Sequence, residues 1–198
     1  MFELDSGVET MYSIAGLVVL AAGITLSSDT RAVFDSFARA LQSHDVEAAM
    51  SHLAEDFVIR DQHASYSGDR EAVRAMVGWD VAVDGSTEFN DILVKGDAIH
   101  VRAVETNRFI RRLGVNKGEF RLTFVIRDGL IREEIISGST EFMRSVNIAL
   151  QPVIEWATDR HPKELAKVYV DEQLIYTEET ARLWIALLEK WKTETASQ

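Results

Sequence analysis

The period of the sequence changes at Asp84-Gly85, and that switch constrains the fold more than any other feature. Before it, apolar residues recur every three or four positions, the spacing of a helix face. After it they alternate with polar residues as far as Ser137, the spacing of strands with one buried side. Four strands are expected, over residues 86–95, 98–110, 118–128 and 130–137. Lys95-Gly96-Asp97, the stretch from Leu113 to Gly118, and Asp128-Gly129 supply the turns. Helices followed by such a meander give an α+β chain, not a doubly wound α/β one.

Upstream, Val33, Phe34, Phe37, Ala38 and Leu41 mark a helix over 30–43, with Asp29 as its N-cap. Asp45 caps a second helix through Ala49, Met50 and Leu53. Residues 57–61, Phe-Val-Ile-Arg-Asp, read as a strand. A loop from His63 to Gly68 then leads to a third helix with Ala72, Val73, Met76 and Val77 on one face. Helical spacing returns beyond Thr140. Phe142, Val146, Leu150, Val153 and Ile154 form one stripe, bent at Pro152. Another helix runs past Pro162 through Leu165, Val168 and Tyr169, and Thr177 caps a last one carrying Ala181, Trp184, Leu187, Leu188 and Trp191. Three helices in about 60 residues bury little surface alone, so these stripes need the rest of the chain as a partner.

The N-terminal segment carries an uncharged run, Ile14 to Ile24, preceded by Glu3, Asp5 and Glu9 and by no Lys or Arg. That is the wrong sign for a secretory leader, and the run is short for a membrane span. A helix buried on its own protein or on a dimer mate is the favoured reading. A signal, or membrane contact through residues 14–26, is the alternative. Cytoplasmic location is accordingly favoured over export or anchoring.

Composition narrows the partners. A formal net charge of −11 repels nucleic acid, and the only dense basic cluster is Arg108, Arg111 and Arg112. The chain has no cysteine, which removes thiolate chemistry and Cys-based zinc sites. Its five histidines, at 44, 52, 63, 100 and 161, lack metal-ligand spacing. No metal and no cofactor is expected.

The stretch HLAEDFVIRDQHASYSGDREAVRAM, residues 52–76, and the hairpin FVIRDGLIREE, residues 124–134, resemble the nuclear transport factor 2-like superfamily. That group includes ketosteroid isomerases, SnoaL-like polyketide cyclases and limonene epoxide hydrolases. The resemblance spans about 110 residues, leaves both ends outside, and carries fold alone. It implies a cone-shaped curved antiparallel sheet with three packing helices around one pocket. The chain then divides into an apolar segment 1–28, a cone domain 29–139, and a helical extension 140–198 packed on the cone. By the same resemblance, Asp61 matches the general base of ketosteroid isomerase. Its oxyanion donors match Phe37 and Leu122, which have no proton to give. Glu105 and Asn107 match the Arg and Asp of limonene epoxide hydrolase, and its second aspartate matches Ile136.

Strand parity places the polar candidates independently. Phe57, Ile59, Asp61 and His63 share a face. So do Ile99, Val101, Ala103, Glu105, Asn107 and Phe109, while Phe120, Leu122, Phe124 and Ile126 are wholly apolar. Glu133 and Glu134 point opposite ways, so at most one enters the cone. Carboxylates on apolar faces are costly unless paired or used. Asp61, His63 and Glu105 are the catalytic candidates, and Asn107, Tyr66 and Trp79 the candidates for ligand contact. Each also has a structural explanation: a cap for Asp61, a loop for His63 and Tyr66, an internal network for Glu105 and Asn107, core for Trp79. Two functions stay open. One is cofactor-free acid–base chemistry on a small, largely apolar molecule, as in an isomerase, cyclase or hydrolase. The other is a non-catalytic binding or dimerisation module. A homodimer is expected through the outer sheet face, where Arg121, Thr123, Val125 and Arg127 alternate with core residues.

Overall fold

The structure is a computed structural model that describes residues 15–62 and 67–196, with side chains from Asp29 onward. In chain order the elements are α1 (Ala15–Gln42), α2 (Val46–Ser51), β1 (Leu53–Asp61), β2 (Ser67–Gly68), α3 (Arg70–Val83), β3 (Ser86–Lys95), β4 (Ala98–Thr106) and α4 (Arg108–Arg112). There follow β5 (Gly118–Arg127), β6 (Leu130–Ser137), α5 (Thr140–Arg160), α6 (Pro162–Val168), β7 (Tyr169–Val170), β8 (Gln173–Leu174) and α7 (Glu178–Thr195).

Six strands form one open sheet in the order β2-β1-β6-β5-β4-β3. Its meander is antiparallel, but β1 runs parallel to β6, so the sheet is mixed where an all-antiparallel one was expected. The crossover explains this. β2 and α3 carry the chain back before β3 starts at the far edge, so β6 arrives beside β1 pointing the same way. Register shifts interrupt β1 between Leu53 and Val58, β3 between Asn90 and Leu93, and the β5–β6 pair at Val125–Ile126. Such bulges bend and twist strands, which curves the sheet into a half-open cone. Asp128 and Gly129, both with positive φ, make the tight β5–β6 turn that Asp-Gly favours.

The concave side is filled from α1. Phe34 and Phe37 reach Phe124 with ring centroids 5.3 and 5.8 Å away, and Phe57, Ile59, Ile99, Val101 and Leu122 complete the cluster. A second cluster lies between α3, α4 and the C-terminal helices. It joins Trp79, Val83, Phe109 and Ile110 to Val146, Leu150, Val168, Trp184 and Leu188.

Several expected boundaries move. The second helix ends at Ser51, so Leu53, expected within it, opens β1, which was expected only from Phe57. Asp29 does not begin a helix, because α1 runs through it from Ala15 and leaves its side chain exposed. Ser-Ser-Asp-Thr costs only about 0.5 kcal/mol per residue in a helix interior, too little to break one held by apolar residues beyond it. The strand expected to reach residue 110 stops at Thr106. Asn107 turns its Oδ1 onto the Ile110 amide at 2.8 Å and N-caps α4, a local bond that competes with the ladder. Phe109 thereby leaves the sheet and packs edge-on against Trp79.

Candidate functional site

Glu134 is the carboxyl that enters the cone. It pairs with Ile59 of β1 and Phe124 of β5, both fully buried, and is itself 8% exposed. Glu133 faces outward and bonds Arg60 at 2.8 Å. No described side chain bonds or pairs with Glu134, and burial alone pushes its carboxyl up to about 7. The group is therefore protonated below pH 7 and shared between acid and carboxylate near it, and its acid form is a hydrogen-bond donor set in an apolar wall.

Asp61 ends β1 on the same face, partly exposed. It pairs with Ile136, so it stands one strand over and two residues along from Glu134, roughly 8 Å between Cα atoms. Ser139 Oγ donates to its Oδ2 at 3.2 Å. His63 and Tyr66 lie outside the described residues.

Glu105 also faces inward on β4, but far from this pair. From the row holding Asp61, Ile136, Leu122 and Val101, it lies four residues further along. With three strand spacings between, an unrolled sheet sets the two about 20 Å apart. Asn107 donates its Nδ2 to Glu105 Oε1 at 2.6 Å. The cap bond to Ile110 fixes which end of the amide is oxygen, so the NH2 end must point at Glu105. Burial raises the Glu105 carboxyl, and the Asn107 bond opposes that rise. Asp80, on the buried side of α3, lies near it. Burial, and then the Glu105 charge, push Asp80 up to about 7. No basic group opposes either shift.

Trp79 is 3% exposed, between Phe109 (5.5 Å) and Tyr176 (4.9 Å). It packs where the cone meets the C-terminal helices, away from the concave face. Sequence reasoning left Glu134 undecided against Glu133 and passed over Asp80, although Val73, Val77 and Asp80 share a helical stripe. It also passed over Ser139. Surface hollows lie beside Ile148 and Pro152 on α5 and between Ala54 and Arg132. Neither opens on the concave face.

Solved structures share the fold. PrhC from Penicillium brasilianum NBRC 6234 is 14% identical, over 64% of this chain and 91% of that one, at a TM-score of 0.54. An M. tuberculosis LEH-like epoxide hydrolase is 13% identical, over 65% and 96%, at 0.49. An NTF2-like protein from Cytophaga hutchinsonii ATCC 33406 is 13% identical, over 54% and 87%, at 0.44. The fold is that of the nuclear transport factor 2-like proteins. At these identities the likeness is one of fold. No protein-family model and no curated protein matches the sequence. Among the described residues no helix is long and apolar enough to cross a membrane.

Proposed function

We propose that the nuclear transport factor 2-like cone takes up a small, largely apolar molecule and moves a proton on it without a cofactor. Glu134 carries this reading: a carboxyl held neutral to about pH 7, unpartnered among the described residues, on an otherwise apolar wall. An acid that titrates near working pH is suited to exchange protons. Asp61, bonded to Ser139 and partly open, is the acceptor. A ligand carbonyl beside Glu134 receives its proton while Asp61 takes one from the adjacent carbon. The C–H electron pair becomes the enol double bond, and the reverse transfers restore both carboxyls. His63 and Tyr66, close to Asp61 in sequence, are proposed to complete its surroundings, and Glu105 with Asn107 to meet the far end of a longer ligand. An acidic chain without cysteine suits the cytoplasm, and that location belongs to the proposal.

β-Tetralone, a small apolar ketone with acidic α-hydrogens, is the probe. In deuterated buffer near pH 7 the protein is expected to speed its α-exchange above the buffer rate. Glu134→Gln and Asp61→Asn are each expected to remove that excess. Exchange that survives both substitutions sinks the assignment.

A second reading rests on the rings of Phe34, Phe37, Phe57 and Phe124, which fill the concavity as a structural core would. On that reading the cone is a non-catalytic platform. The convex face sets half-buried Val58, Val104, Val125 and Ile135 among Arg60, Arg102 and Arg121, and a homodimer through it fits both readings.

A further inference from the structure

The first turn of α5 touches inward-facing residues of β1 and β5, and its contacts there are unusual for a helix start. Ser139 occupies the N-cap position but makes no cap bond. A cap serine ordinarily accepts from the second or third helical amide. Here its hydroxyl, 6% exposed, donates instead to the Asp61 carboxylate at 3.2 Å. Three residues on, the Phe142 ring rests on Gly118. A Cβ at that glycine would stand 2.9 Å from Cε1 and Cζ of the ring, closer than side chains approach. The same ring meets Phe120 edge-to-face at 5.2 Å. Gly118 and Phe120 share the inward parity of Leu122 and Phe124, and Gly118 pairs directly with Glu105. One helical turn therefore touches the concave face at Asp61 on one side and beside Glu105 on the other.

We propose that this turn is the closure of the cone: Phe142 is its gate, and Ser139 is the pin that ties it to Asp61. The ligand that opens it carries a flat, unsaturated ring, because Gly118 and Phe120 form a shelf that already holds one. Gly118 matters through what it lacks, since any side chain there would fill the space the ring occupies. The inference rests on the proposed uptake of an apolar molecule and adds how that molecule enters.

Stopped-flow binding of N-phenyl-1-naphthylamine, a neutral dye that brightens on leaving water, tests the closure. For the unmodified protein the observed rate is expected to level off as dye concentration rises, because opening limits entry. Phe142→Ala and Gly118→Ala are each expected to lift that ceiling at least tenfold. The first deletes the gate and the second displaces it with the ring still present. Ser139→Ala should raise the ceiling as well, whereas Ser139→Thr, which keeps the hydroxyl, should not. Ile148→Ser, on the exposed side of the same helix, is the control and should change nothing. A ceiling unmoved by Phe142→Ala and Gly118→Ala, or a rate linear in dye for the unmodified protein, overturns the closure. It leaves the proton-transfer reading to the β-tetralone experiment. Dye that binds neither the protein nor any variant also overturns the closure, and leaves uptake of the smaller ketone to the β-tetralone experiment.

Discussion

Glu134→Gln changes one atom's chemistry at nearly constant volume, which makes its effect on stability calculable. The folded protein holds this carboxyl neutral to about pH 7, against 4.5 for an ordinary glutamate. Below pH 4.5 the group is neutral in both states and costs nothing. Between pH 4.5 and 7 the unfolded chain ionises while the folded one keeps its proton. Stability therefore falls by about 1.4 kcal/mol per pH unit. Above pH 7 the penalty is complete, at about 3 kcal/mol. Glutamine does not ionise, so Glu134→Gln is expected to match the native protein near pH 4 and to exceed it by about 3 kcal/mol at pH 8. For a chain of this length that is a rise of roughly 6–12 °C in melting temperature. Urea unfolding at pH 4, 5, 6, 7 and 8, on both proteins, reads the difference directly. Asp80 tilts both curves alike, so only the gap between them is at issue. A constant gap across that range would falsify the placement of an uncompensated carboxyl in the cone.

Three other outcomes follow from described contacts. Asn107→Ala deletes the α4 cap and strips Glu105 of its donor, so it should cost about 2 kcal/mol or more in urea unfolding; a cost under about 0.5 kcal/mol would show the network idle. Trp79→Ala opens the junction between α3, α4 and α7. It should cost about 3–5 kcal/mol and speed trypsin cleavage near residue 140, and unchanged cleavage would mean the ring ties nothing together. Light scattering at micromolar concentration should give a dimer mass, and Val125→Glu on the convex face should halve it. A monomer before substitution removes the proposed pairing.

How far the sequence shows this molecule depends on which kind of signal each residue carries. The meander was legible because alternation and turn chemistry agree at Lys95-Gly96-Asp97 and Asp128-Gly129. The α7 cap was legible too, since Thr177 precedes a regular apolar stripe. Glu134 was not, and its register shows why. Counting back evenly from the Asp128-Gly129 turn sets Glu133 opposite Phe124. The shift at Val125–Ile126 adds one residue to β6, and Glu134 takes that place instead. Nothing local announces the extra residue. Asn107 failed differently: its alternation with Glu105 reads as strand, while its side chain prefers the cap it makes three residues ahead. The parallel β1–β6 pair depends on contacts too distant for any window to see.

That parallel pair also decides when the protein can fold. Asp61 waits for Ile136, a partner about 75 residues later in the chain. At about 5–20 residues per second, synthesis needs roughly 4–15 s to deliver it. Until then β1 emerges from the ribosome with Phe57 and Ile59 exposed and only the two residues of β2 to pair with. An unpaired apolar edge of this kind invites association with other nascent chains. Closing so long a loop first and gaining contacts afterwards also slows refolding of the finished chain. Truncation anywhere before Ser137 leaves β1 with no complete partner, so nascent fragments of that length should be held by chaperones instead of released folded.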